Sequence, residues 1–173
     1  MTTKDLFNQI KAKQSFLCVG LDVDQDYFPV KIKDSPDNIF NFSKSIIDTT
    51  AKYCVAYKIN IAFFEAYGIE GWNSLEKVMD YLNNYYPEIF TIADAKRADI
   101  GNTSKRYAKA YFDHFDFDSI TVAPYMGADS VEPFLTYKYK HTILLALTSN
   151  KGAADFQLLH SGNDMLYERV IKT

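Results

Sequence analysis

The 173-residue sequence is poor in cysteine and histidine and contains no long apolar run. Its two cysteines, Cys18 and Cys54, each lie in a strand-like run, which disfavours a disulfide framework or a zinc site and favours a reducing cytoplasm. The three histidines lack ligand-like spacing and are predicted to be surface or packing residues: His114, His141 and His160. No segment approaches the length of a membrane span, and the first residues lack the apolar core of a signal peptide.

A basic surface is also missing. Lysine and arginine number 19 against 22 aspartates and glutamates, which gives a formal net charge of −3, so nucleic-acid binding through a basic face is not expected. Hydrophobic residues make up 47% and charged residues 24%, as is typical of globular proteins. We therefore predict a single domain over residues 1–173, long enough to bury a core.

Short apolar strands alternate with amphipathic helices along the chain. The predicted strands are 16–22, 54–60, 89–93, 118–122 and 142–147. The predicted helices are 4–13, 37–52, 62–67, 72–85, 103–114, 130–135 and 164–172. This alternation predicts an α/β fold with a parallel sheet and right-handed crossovers, and the nearly continuous apolar strands are typical of a sheet covered on both faces.

Two α/β architectures fit this order: an open doubly wound sheet, or a piece of a (β/α)8 barrel. A single glycine, Gly20, stands near the end of the first strand, so the glycine-rich dinucleotide fingerprint is absent. Polar residues instead recur where strands end: Asp22, Lys58, Asn60, Asp94, Lys96 and Ser149. Because barrel enzymes draw catalytic groups from the ends of several strands, the pattern favours a (β/α)8 TIM barrel.

The densest group of charges follows the third strand, at Asp94, Lys96 and Asp99. Side chains alternate along a strand, so Asp94 and Lys96 are predicted to point to the same side, with Asp99 within reach. Lys58 needs a carboxylate partner if it is buried, and Asp94 on the neighbouring strand is placed to supply one. We interpret the group as a catalytic cluster; the alternative is a structural ion-pair network. Asp22 could instead be a helix cap or a turn residue, and Ser149 could instead be a turn residue.

Five segments together resemble a known enzyme family: 16–22, 57–65, 94–103, 121–127 and 147–153. They are similar to successive motifs of the orotidine 5′-phosphate decarboxylase family, in its longer bacterial and protozoan branch. The resemblance runs from about residue 16 to residue 157, and the pattern Asp-x-Lys-x-x-Asp-Ile-x-x-Thr at 94–103 is highly specific. Sugar-phosphate enzymes of the same superfamily share Asp-x-Lys-x-x-Asp but are less similar in the other segments.

The resemblance implies decarboxylation of orotidine 5′-monophosphate to uridine 5′-monophosphate in pyrimidine biosynthesis, with neither cofactor nor metal. Lys96 would stabilise the carbanion that develops on the ring and then donate the proton. Asp94 would lie near the substrate carboxylate, and Lys58 would pair with Asp94 and reach the ribose.

The resemblance also assigns substrate-binding residues and a partner. Asp22 and Asn60 would hold ribose hydroxyls, and Ser149 would contact the pyrimidine edge. Asp99, Ile100 and Thr103 would enter the active site of the other subunit, which implies a homodimer. No nucleic-acid or membrane partner is expected.

A complete barrel takes about 250 residues and eight βα units, whereas only five strands are predicted here. We therefore expect an N-terminal portion of a barrel that lacks the phosphate-binding loops and has at most trace activity by itself. Two other hypotheses stay open: a sugar-phosphate enzyme that uses Mg2+, and a non-catalytic half-barrel that self-associates.

Overall fold

The computed structural model describes residues 1–173 and contains a five-stranded parallel sheet in the order β1-β2-β3-β4-β5. The strands are β1 Cys18–Leu21, β2 Ala56–Asn60, β3 Phe90–Arg97, β4 Ser119–Val122 and β5 His141–Leu144. Each strand pairs in parallel with the next along the chain. The α/β class and a parallel sheet of five strands in chain order are confirmed, as expected for five successive units of a (β/α)8 barrel.

Nine α-helices connect or flank these strands. They are α1 Thr3–Lys13, α2 Val30–Lys33, α3 Asn38–Thr50, α4 Ile61–Glu65, α5 Gly68–Tyr85, α6 Gly101–Ala108, α7 Glu132–Leu135, α8 Ala153–Phe156 and α9 Leu166–Lys172. A π-helical segment, Lys109–His114, continues α6, and 3-10 turns occupy Gln25–Tyr27, Pro124–Met126 and Ala128–Ser130. No helix has the length and apolar character needed to cross a membrane.

The core lies between the sheet and helices α3, α5 and α6. All four residues of β4 are buried, and Tyr57 and Ile59 of β2 are fully inaccessible to solvent. Helix α5 packs closely against α4 at Gly71, where an added Cβ would lie only 1.8 Å from the Phe64 carbonyl oxygen. Glycine is therefore required at this contact, which holds the helix that follows β2.

Helix α1 closes the amino-terminal end of the sheet. The Met1 ammonium group lies 2.5 Å from Asp118 Oδ1, next to the start of β4, and Lys13 Nζ donates to the Ala51 and Cys54 carbonyls before β2. Cys54 itself is buried just ahead of β2, whereas Cys18 is exposed in β1. The opposite, carboxyl-terminal end of the sheet is left for polar side chains.

Several predicted boundaries were wrong for identifiable reasons. The fifth strand was predicted over 142–147 but ends at Leu144, because β4 ends at Val122 and the chain turns at Pro124; the Val122 carbonyl accepts the last ladder hydrogen bond, from the Leu145 N–H. The last helix was predicted from residue 164 but begins at Leu166, since 160–161 and 164–165 pair as a two-stranded hairpin. Its strands are β6 His160–Ser161 and β7 Asp164–Met165.

Candidate active site

The carboxyl-terminal ends of neighbouring strands bring four charged residues together. Lys58 of β2 is paired in register with Gly20 of β1, and Asp22 follows β1 directly. Asp94 of β3 is in register with Asn60, the last residue of β2. The parallel sheet therefore places side chains from three strands at its carboxyl-terminal end, as the pattern of polar strand ends predicts.

These charges form a line of alternating sign, which we call the charge chain: Lys96, Asp94, Lys58 and Asp22. Asp94 uses both carboxylate oxygens, with Oδ1 lying 2.5 Å from Lys96 Nζ and Oδ2 lying 3.2 Å from Lys58 Nζ. Lys58 Nζ is also 3.9 Å from Asp22 Oδ1. The predicted ion pair between Lys58 and Asp94 is thus present. Each of its members has a second partner of opposite charge, Asp22 for Lys58 and Lys96 for Asp94.

Burial differs sharply along the charge chain. The Asp94 side chain is 10% exposed, whereas Lys96 is 54% exposed. Burial raises the pKa of the Asp94 carboxyl, but hydrogen bonds from Lys96 and Lys58 outweigh burial and leave that pKa below its ordinary value. Asp94 is therefore a buried anion at neutral pH, and Lys96 presents a cation to the open end of the sheet.

The Lys96 backbone departs from regular strand geometry. Its φ is +48°, in the left-handed region, and the pairing of β3 with β4 shifts register between Ala93 and Arg97. The Lys96 and Asp94 side chains nevertheless meet on the same side, as predicted, and burial still alternates along β3 up to Lys96.

Asp99 forms no ion pair with Lys96, so the two carboxylates do not both pair with this lysine within one chain. Asp99 Oδ1 accepts a hydrogen bond from the Ile100 N–H at 2.7 Å, and Asp99 makes no ion pair. Ile100 is 56% exposed, and Thr103 is partly buried in the first turn of α6.

The other two predicted substrate-binding residues make no side-chain hydrogen bond to the charge chain, although Asn60 lies in register beside Asp94. Asn60 is partly buried at the start of α4, and its side chain does not cap that helix. Ser149 is exposed in the loop after β5, next to Thr148, whose backbone N–H donates to Gln157 Oε1 at 2.8 Å. The structure therefore joins Asp22, Lys58, Asp94 and Lys96 by ion contacts and places Asn60 beside Asp94, whereas Asp99, Ile100, Thr103 and Ser149 make no ion pair or hydrogen bond with the charge chain.

A second ion pair, between Arg97 and Glu65, involves the last residue of β3 and was not predicted from the sequence. Arg97 pairs with Glu65 of α4 and donates a hydrogen bond to the Tyr111 hydroxyl at 2.8 Å. Burial raises the pKa of the Tyr111 hydroxyl to about 12, although the neighbouring Arg97 acts in the opposite direction. This contact anchors the segment directly after Lys96 to two helices. The signal in the sequence was an arginine directly beside a predicted catalytic lysine.

Thr121 was also missed as a contributor to the site. Its hydroxyl lies between the Lys96 N–H, at 2.9 Å, and Asp94 Oδ1, at 3.1 Å. A threonine between the apolar residues Ile120 and Val122, in the strand next to the one that carries the charges, was the available signal. No cluster of three or more His, Cys, Asp or Glu side chains suited to a metal ion is present in the structure.

Comparison with known proteins gives consistent matches over nearly the whole chain. Residues 15–173 match the profile of the family described as Orotidine 5′-phosphate decarboxylase / HUMPS. The chain is 61% identical to the orotidine 5′-phosphate decarboxylase of Christiangramia forsetii and 60% identical to that of Flavobacterium johnsoniae, each over 173 residues. All of this chain is covered, but it spans only 64% and 63% of the lengths of those relatives.

A solved structure supports the same similarity. The Leishmania donovani OMP decarboxylase superposes with a TM-score of 0.82 at 41% identity. That superposition covers 98% of this chain and 63% of the Leishmania chain. The five-stranded sheet and its helices therefore have a close structural counterpart in a longer protein.

Proposed function

Because the chain belongs to the Orotidine 5′-phosphate decarboxylase / HUMPS family, we propose that it carries the catalytic centre for converting orotidine 5′-monophosphate to uridine 5′-monophosphate. The observation that carries this proposal is the charge chain at the carboxyl-terminal end of the sheet. A half-exposed ammonium beside a buried carboxylate can act on a substrate that loses a carboxylate and gains a proton.

Lys96 is the group we assign to the reacting carbon. When the ring-carboxyl bond breaks, CO2 leaves and the electron pair stays on the ring carbon. The Lys96 ammonium stabilises that negative charge and transfers a proton to the carbon, and solvent then reprotonates the amine. Its 54% exposure leaves the ammonium accessible to a substrate above the strand ends.

Asp94 and Lys58 hold the ammonium in place before the substrate binds. Both oxygens of Asp94 are engaged by cations, so the carboxylate has a fixed orientation. The substrate carboxylate would lie near Asp94 and be repelled by it, and departure of CO2 would relieve that repulsion. Electrostatic stabilisation of the transition state is the main contribution, and this repulsion is secondary.

The remaining residues are assigned to binding and assembly. Asp22, Lys58 and Asn60 would contact the ribose, and Ser149 would contact the pyrimidine. We further propose a cytoplasmic homodimer of one domain per chain, in which the segment that includes Asp99, Ile100 and Thr103 enters the partner's site. Support for the shared site comes from the Asp99 carboxylate, which joins no ion pair within its own chain, and from the exposure of Ile100.

The test uses a completed barrel: residues 1–173 joined to the part of the Christiangramia forsetii relative that this chain does not match. We expect this protein to form uridine 5′-monophosphate and CO2 at equal rates with EDTA and with added Mg2+. Absence of product would overturn the proposal. Activity that EDTA abolishes and Mg2+ restores would overturn the metal-free mechanism proposed for Lys96.

A further inference from the structure

The Thr121 hydroxyl contacts two members of the charge chain, Lys96 through its backbone and Asp94 through its side chain. It lies in β4, is 6% exposed, and its neighbours Ile120 and Val122 are fully buried and apolar. The Thr121 hydroxyl oxygen accepts a hydrogen bond from the Lys96 N–H at 2.9 Å, and the same hydroxyl donates to Asp94 Oδ1 at 3.1 Å. One hydroxyl therefore uses its acceptor and its donor on two different members of the charge chain.

The contact to the Lys96 N–H coincides with the bulge in β3. With a φ of +48°, Lys96 adopts a backbone conformation that residues with a Cβ disfavour. The register shift between Ala93 and Arg97 removes Lys96 from the regular ladder with β4, and the Thr121 side chain accepts the hydrogen bond that a strand carbonyl would otherwise accept. Without this acceptor, the Lys96 N–H would lose its partner in a partly buried setting.

We propose that Thr121 is a positioning residue for Lys96 and Asp94. Its hydroxyl stabilises the left-handed backbone from which the Lys96 ammonium extends, and it fixes the orientation of the carboxylate that the ammonium contacts. The inference rests on the proposed function, because the two groups that Thr121 holds are those assigned to the chemistry. Thr121 itself acts only through them.

Three variants separate positioning from ordinary packing. Thr121→Val keeps the shape of the side chain and removes the hydroxyl, whereas Thr121→Ser keeps the hydroxyl. Thr91→Val is the matched control, since Thr91 is also buried and its hydroxyl also bonds an aspartate, Asp118, but near the amino-terminal ends of the strands.

The first measurement is hydrogen exchange of the Lys96 amide in the 173-residue chain, which needs no activity. Thr121→Val should raise the exchange rate of that amide by about tenfold or more relative to wild type. Thr121→Ser and Thr91→Val should leave it within about threefold, once rates are corrected for global stability. An unchanged Lys96 amide in Thr121→Val would overturn the inference.

The second measurement is steady-state kinetics in the completed barrel. Thr121→Val should lower kcat by about tenfold or more while KM stays within about threefold, and Thr121→Ser should restore kcat. Equal losses in the valine and serine variants, or a kcat in Thr121→Val as high as in Thr91→Val, would overturn the inference. A wild-type protein that forms no product would refute the proposed function instead, and the amide exchange would still decide whether Thr121 fixes Lys96.

Discussion

Lys96 Nζ lies 2.5 Å from Asp94 Oδ1, although the two residues are joined by a strand that bulges between them. The contact pairs a half-exposed cation with a nearly buried anion. Because the cation is held in place before any substrate binds, little reorganisation would be needed when negative charge develops nearby. The contact is made although the strand is irregular here, with a register shift between Ala93 and Arg97.

Lys96→Ala should abolish decarboxylation in the completed barrel and leave the fold intact. The substitution removes both the positive charge beside the reacting carbon and the proton donor, so we expect kcat/KM to fall by about a thousandfold or more. The measurement is the initial rate of product formation, with circular dichroism to check folding.

The control for Lys96→Ala is Lys31→Ala, which removes an exposed lysine of α2 that makes no ion pair. Its activity should match that of wild type. If Lys96→Ala retained activity within about tenfold of wild type, a barrier difference of only about 1.4 kcal/mol, the assignment of Lys96 would be wrong.

Asp99→Ala should damage the site of the partner subunit and leave the site of its own chain with an intact Lys96. Mixing this variant with Lys96→Ala produces hybrid dimers in which one of the two sites has both residues. With random exchange, about a quarter of the wild-type activity should return. No recovery, in a mixture where exchange is demonstrated by mass-tagged subunits, would contradict the shared site.

The strand order and the ion pair of Lys58 with Asp94 could be predicted because they follow from local patterns. Apolar runs alternating with helices specify a parallel sheet, and an aspartate on the adjacent strand is the natural partner for a lysine at a strand end. The left-handed backbone of Lys96 could not be predicted this way. Its N–H donates to the Thr121 hydroxyl of β4, a contact between residues 25 apart in sequence that no local pattern shows.

Asp99 shows the opposite limit of sequence reasoning. Its spacing from Lys96 suggested one compact cluster, but spacing gives proximity only while the backbone stays regular. Here the chain leaves β3 at Arg97, which Glu65 and Tyr111 hold on the other side of the strand, and enters α6 at Gly101. The three-dimensional position of Asp99 therefore depends on packing that no local motif records.

The free energy of unfolding of the 173-residue chain should fall as the pH is lowered, and Asp94 should account for part of that fall. Because the folded pKa of Asp94 is below its ordinary value, the unfolded chain binds a proton more readily. The contribution of Asp94 is therefore fully present above about pH 4 and is lost as the pH falls through the folded pKa. Urea denaturation at a series of acidic pH values measures it.

The comparison for this titration is Asp94→Asn, whose unfolding free energy should fall less steeply below about pH 4 than that of wild type. Asp155→Asn, which removes an exposed carboxylate without an ion pair, is the matched control and should follow the wild-type curve. Identical slopes in wild type and Asp94→Asn would show that the ion pairs of Asp94 do not stabilise the folded chain.

The open edges of the sheet should make the 173-residue chain self-associate. β1 and β5 each have a neighbouring strand on one side only, and Ile143 of β5 is 37% exposed, whereas all of β4 is buried. Unpaired, partly apolar edges promote pairing between chains, so sedimentation should detect species larger than a dimer as the concentration rises.

Ile143→Lys should remove those species, because a charge at the edge opposes pairing, and leave any dimer formed through the segment around Asp99. Ile69→Lys, at an 81% exposed position of α5 away from both edges, should behave like wild type. A chain that never exceeds a dimer at any concentration, or equal effects of the two lysine substitutions, would show that the edges are not the surfaces of association.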